Sequence, residues 1–126
     1  MPKEIISTPD APKAIGPYSQ AVKIGPLIFA SGQIALDPVS GLKITGGVHK
    51  ETERVLENLK AVLAEAGAGM ENVVKVTVYL SNLEDFKFMN EVYERYFPEN
   101  PPARSTVQAV VPRGGLVEID AIAVIG

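Results

Sequence analysis

The stretch Thr52–Leu80, TERVLENLKAVLAEAGAGMENVVKVTVYL, changes its period part way along. Apolar Val55, Leu56, Leu59, Val62, Leu63 and Ala66 recur at helical spacing, while Glu53, Arg54, Glu57, Lys60 and Glu65 fill the other side. This predicts a helix over Thr52–Ala66. Gly67-Ala68-Gly69 stops it, because glycine tolerates the left-handed conformation that closes helices. Val74, Val76, Val78 and Leu80 then alternate with Lys75, Thr77 and Tyr79, the pattern of a half-buried strand.

A second helix fits Leu83–Tyr96, with Ser81 or Asn82 as N-cap, Glu84 and Asp85 in the first turn, and Phe86, Met89, Tyr93 and Phe97 as the buried stripe. Before the first helix, Ala21–Ile24, Gly25-Pro26 and Leu27–Gln33 read as a hairpin. After the second, Ser105–Val111 and Leu116–Ile125 read as another, joined by Pro112-Arg113-Gly114-Gly115. The order predicts an α+β fold in a single domain, residues 1–126: a two-layer sandwich with a mixed sheet of about six strands and two helices on one face. Two helices cover only one side of such a sheet. The other side needs a partner, and self-association in a closed ring, a homotrimer, supplies one.

Composition narrows the function. Lys and Arg total 12 against 15 Asp and Glu, a net charge of -3, so no bulk field draws the chain to nucleic acid or anionic lipid. Cysteine is absent, which removes disulfides, thiol nucleophiles and thiolate metal sites. With one histidine and no cysteine there is no ordinary zinc site, and His49, just before the first helix, reads as a solvated residue with no catalytic motif around it. The longest charge-free run, Ile24–Leu36, is too short for the roughly 20 residues of a membrane span. The N-terminus has no apolar stretch of signal-peptide length, and the expected place is the cytoplasm. Gly46-Gly47 and Gly114-Gly115 match no nucleotide fingerprint, so no cofactor and no metal are expected.

The candidates for chemistry each carry a plainer alternative. Arg104 opens an apolar strand after Pro101-Pro102-Ala103, where a guanidinium either forks onto a small anion or pairs with a protein carboxylate. Glu118 lies in the apolar run Leu116–Val124, on one strand face with Asp120, Ile122 and Val124; it either pairs with Arg104 or handles a proton. Tyr18, in the turn Gly16–Gln20, presents a hydroxyl or covers the edge of the core. Gly32, in Ala30-Ser31-Gly32-Gln33, marks a bulge or the close approach of another backbone or a ligand, or else the packing of a helix against the glycine. Asn90 interrupts the apolar stripe of the second helix, as a ligand amide or as a bond to a neighbouring loop.

Taken together, Ile15–Ala21, Ala30–Gln33, Met89–Tyr93, Pro102–Ser105 and Val117–Ala123 resemble the Rid, or YjgF-type, family, in the branch of the 2-iminobutanoate/2-iminopropanoate deaminases. The resemblance implies a fold like that of a small chorismate mutase, assembled as a homotrimer with sites between subunits. It implies that Arg104 grips the substrate carboxylate, that Tyr18, Ser31, Gly32 and Asn90 line the pocket, and that Glu118 holds the attacking water. Thr106 stands where many relatives carry cysteine, so thiol-based behaviour of relatives does not transfer.

The expected reaction is hydrolysis of short-lived 2-imino acids to 2-oxo acids and ammonia, protecting pyridoxal-phosphate enzymes. The rival is a trimeric small-molecule sensor or chaperone-like binder using the same clefts. A sensor needs Arg104 but has no evident use for a carboxylate at Glu118 beside an anionic ligand. RNA cleavage would want a basic surface and a catalytic histidine, which the net charge and His49 do not offer.

Overall fold

The computed structural model describes residues 1–126. The strands are β1 (Glu4–Ile6), β2 (Ala21–Ile24), β3 (Leu27–Gln33), β4 (Val73–Leu80), β5 (Ala103–Gln108) and β6 (Val117–Val124); the helices are α1 (Val48–Glu65) and α2 (Phe86–Tyr96). They form one mixed sheet in the order β1-β2-β3-β6-β4-β5. Every pairing is antiparallel except β4 with β5. Both helices pack on one face, so the α+β sandwich expected from the sequence is the fold found.

The period of each element sets what it buries. On α1, Val55, Leu56, Leu59, Val62 and Leu63 are fully enclosed against Val76, Val78 and Leu80 of β4, Ile119 of β6 and Ile28 of β3. Gly67 (φ 88) closes α1 in the left-handed region, and the amide of Ala68 donates to the carbonyl of Leu63 (2.8 Å). No helix is long and apolar enough to cross a membrane.

Several sequence-based expectations are corrected. Helix α1 begins at Val48, four residues before Thr52, and takes His49 into its first turn. The polar run His49-Lys50-Glu51 hides this start because Glu51 is buried through bonds to Lys43 and Leu116 that only tertiary structure supplies, while buried Thr52 turns its hydroxyl back onto the Val48 carbonyl. Helix α2 begins at Phe86 rather than Leu83; a 3-10 turn over Leu83–Asp85 precedes it, with Asn82 Oδ1 accepting from the Glu84 amide (2.9 Å). Phe86 leaves the buried stripe, and Val92 joins it. In β4 a register shift between Val73 and Lys75 buries Val73 and turns Val74 outward.

The largest correction concerns the last two strands, which are not a hairpin. Strand β4 lies between them, parallel to β5 and antiparallel to β6. The β4–α2–β5 segment is a crossover, and crossovers through a helix produce parallel neighbours. Strand β6 carries the more apolar run and takes an interior place, leaving β5 as an edge.

The face away from the helices is bare. Ile5 (54% exposed), Phe29 (43%), Val124 (39%) and Leu27 (36%) stand on it, an apolar surface of the kind that marks an interface.

Candidate functional site

Strand register divides the candidate residues between the two sides of the sheet. Arg104 pairs with Val76, whose side chain is in the helix-covered core, so Arg104 points to the helix side. Glu118 pairs with Tyr79, on the opposite pleat of the same strand, so Glu118 points to the bare side with Asp120. The two do not pair within one chain. The Arg104–Glu118 ion pair left open by the sequence is overturned by this register.

On the helix side, the guanidinium of Arg104 donates from Nη1 to Oδ1 of Asn90 (2.8 Å). Its Cζ lies 4.7 Å from the ring centre of Tyr93 and 5.3 Å from that of Phe86. Helix spacing puts Phe86, Asn90 and Tyr93 on one face of α2, which presents one amide and two aromatic faces to the cation. Arg104 makes no ion pair with a carboxylate of its own chain. Burial pushes the Tyr93 hydroxyl up, with Arg104 acting against the shift. A cleft of about 550 Å³, walled by Asn90, Tyr93, Pro101 and Pro102, opens over the guanidinium.

On the other side, Tyr18, Ser31, Gly32 and Glu118 share a cavity of about 590 Å³ with Pro112 and Arg113. Buried Gln20 builds its rim: Oε1 accepts from the Thr8 amide (2.7 Å), while Nε2 donates to the carbonyls of Thr8 (3.1 Å) and Pro12 (2.8 Å). This ties the segment before Tyr18 to β2. Tyr18 is 54% exposed, and its hydroxyl accepts from the Ile15 amide (3.3 Å), so it does not cover the core. Ser31 donates from Oγ to the carbonyl of Ser19 (2.6 Å).

At Gly32 the structure shows the bulge, and what comes close to the glycine is the Glu118 side chain rather than a backbone, a ligand or a packed helix. The β3–β6 register shifts between Ala30 and Gln33, and a Cβ on Gly32 would collide with Oε2 of Glu118. Any side chain at this position would force the Glu118 carboxylate to move. Burial pushes the Glu118 carboxyl above the usual range, and the Asp120 charge adds to this. Asp120 in turn accepts from the hydroxyl of Tyr79 (3.1 Å).

The sequence reading missed Phe86 and Tyr93 as the bed of Arg104, because a stripe at helical spacing reads as core. It also missed Arg113, which adopts a left-handed conformation (φ 60) in the turn before β6 and lines the Glu118 cavity. The flanking Pro112 and Gly114 were its one sequence signal. His49 is exposed, with Nε2 3.3 Å from Oε2 of Glu91, and lines neither cleft. No three of His, Cys, Asp or Glu gather to hold a metal ion.

An Endoribonuclease L-PSP family model matches residues 8–125. The chain is 54% identical over 124 residues to a RutC family protein of Pyrococcus abyssi, a match covering 98% of each. It is 50% identical over 125 residues to the 2-iminobutanoate/2-iminopropanoate deaminase of Mus musculus, covering 98% of this chain and 93% of the relative. Among solved structures, Escherichia coli TdcF with bound serine matches at a TM-score of 0.93 and 41% identity, over 98% of this chain and 99% of the other.

Proposed function

The chain belongs to the endoribonuclease L-PSP family, also called the Rid or YjgF-type family, and from that premise we propose that it hydrolyses small 2-imino acids to 2-oxo acids and ammonia, in clefts shared between the subunits of a homotrimer. One observation carries the reading: the Arg104 guanidinium is held by a neutral amide and two aromatic faces and by no carboxylate. A fork fixed in this way keeps its charge for a small carboxylate ligand. Glu118, a carboxylate disposed to hold a proton, lies on the opposite side of the sheet. A trimer closing over the bare apolar face brings the Arg104 of one subunit toward the Glu118 of its neighbour.

In this arrangement Arg104 and Asn90 hold the substrate carboxylate and fix the imine carbon. Glu118 takes a proton from water as its oxygen bonds to that carbon, giving a carbinolamine. Glu118 returns that proton to the nitrogen and then carries the hydroxyl proton of the carbinolamine to the same nitrogen as the C–N bond breaks, so that ammonia leaves and the carbonyl forms. Tyr18, Ser31 and Gly32 wall the space around the water. Free imines already hydrolyse in water, so two charged groups and a positioned water supply the modest acceleration required. Removal of reactive imines released by pyridoxal-phosphate enzymes is the role proposed for this activity. The net charge of -3 and the position of His49 outside both clefts give RNA cleavage no support.

The test is competition with semicarbazide for 2-iminobutanoate generated from threonine by a separate dehydratase. Wild type suppresses semicarbazone formation and Arg104→Ala does not. If neither suppresses it, the clefts bind ligands without turnover, as the sensor reading holds.

A further inference from the structure

Glu51 is among the most deeply buried side chains of the molecule, 1% exposed, and belongs to neither cleft. A carboxylate taken out of water costs several kcal/mol unless its oxygens are satisfied. Here each oxygen has one partner. Oε2 meets Lys43 Nζ at 3.1 Å, and Oε1 accepts from the backbone amide of Leu116 at 2.9 Å.

Those partners lie on the two strips of chain that wall the Glu118 cavity. Lys43 bridges to Leu36, which lines the cavity. Leu116 follows the Pro112–Gly115 turn, whose Pro112 and Arg113 line it too, and stands two residues before Glu118. The sheet ladder reaches only as far as Val117, opposite Leu80. At Leu116 the Ser81 amide continues the pairing by one rung to the carbonyl (3.0 Å), but the Leu116 amide donates to Glu51 instead of to β4.

We infer that Glu51 is a positioning residue that sets the place of Glu118 by holding the Leu116 amide. The inference rests on the imine-hydrolase reading for its effect on turnover, but not for its effect on the chain around Leu116. Glu51 touches no substrate in this scheme and acts only through Leu116.

Two double variants isolate the amide contact from the buried charge. Lys43→Met with Glu51→Gln keeps an acceptor for Leu116 and removes both charges; Lys43→Met with Glu51→Leu removes the acceptor as well. The Gln form is expected to keep kcat within about threefold of wild type, while the Leu form loses about 10- to 100-fold in kcat with KM nearly unchanged. Amide exchange over residues 116–118 rises in the Leu form alone. Should the Leu form not fold, Lys43→Met with Glu51→Met, an unbranched side chain close in length to the native one and equally without an acceptor, is expected to lower kcat with little change in KM. Equal kcat in the two double variants, or equal exchange at 116–118, overturns the inference. If wild type fails to hydrolyse 2-iminobutanoate, the functional reading falls and the exchange comparison still decides the role of Glu51.

Discussion

On the helix side of the sheet, Arg104 lies on a bed of α2 side chains and its guanidinium has little left to settle. On the bare side, Glu118 stands beside Asp120 at the edge of an apolar surface, with Gly32 cut back to make room. The first residue is prepared by its own chain, and the second faces whatever covers the sheet. The two halves of the proposed site thus lie back to back in one chain, and the proposed trimer is the assembly that would join them.

The largest effect is expected on the prepared side. Arg104→Ala is expected to lose on the order of 10² to 10⁴ in kcat/KM for imine hydrolysis, since two charge-assisted bonds of about 1.5 to 3 kcal/mol each disappear. Lys rescues poorly because it lacks the planar fork. Full activity in Arg104→Ala would remove the carboxylate-gripping role.

On the open side, Glu118→Gln is expected to lower kcat by about 10² while changing KM less, because proton handling is lost and grip is not. Steady-state kinetics that show a change in KM alone would reduce Glu118 to a wall of the pocket.

Next is the union of the halves. Arg104→Ala and Glu118→Gln subunits, mixed after unfolding and refolded together, are expected to recover about a quarter of wild-type activity, since random trimers pair an intact Arg104 with a neighbour's intact Glu118 at about one site in four. No recovery would place both residues in one chain's site. Phe29→Asp puts a charge on the bare face and is expected to give monomers by sedimentation, with activity down about tenfold or more. Active monomers would defeat the shared cleft.

The smallest effect is in pH dependence. A carboxyl whose folded pKa is raised is stabilised by folding in its protonated form, and that contribution is lost as pH rises through the raised value. The ionised base behaves in the opposite sense, so turnover is expected to fall as pH falls through the same value. Asp120→Asn removes the second cause of the shift and moves this acid limb to lower pH. An unmoved limb in the kcat profile would show that another group sets it.

Much of this molecule is legible in its residues. The period change across Thr52–Leu80 and the apolar stripe of α2 specify the type of each element, and local period is a property of the chain alone. The clash that would follow any side chain at Gly32 was foreshadowed by a glycine inside a strand. Less legible were the start of α1, where buried Glu51 and Thr52 look like surface, and the pairing of β6 with β3 and β4. Strand order depends on which faces bury the most apolar area once all strands compete, and no local pattern carries that information.

The sequence by itself determined the elements, the uncovered sheet face and the residue types able to hold an anion and move a proton. Tertiary structure alone decided that Arg104 and Glu118 leave the sheet in opposite directions. In a strand the side chain's side follows from one residue of register, and register is set by pairing with strands distant in the chain.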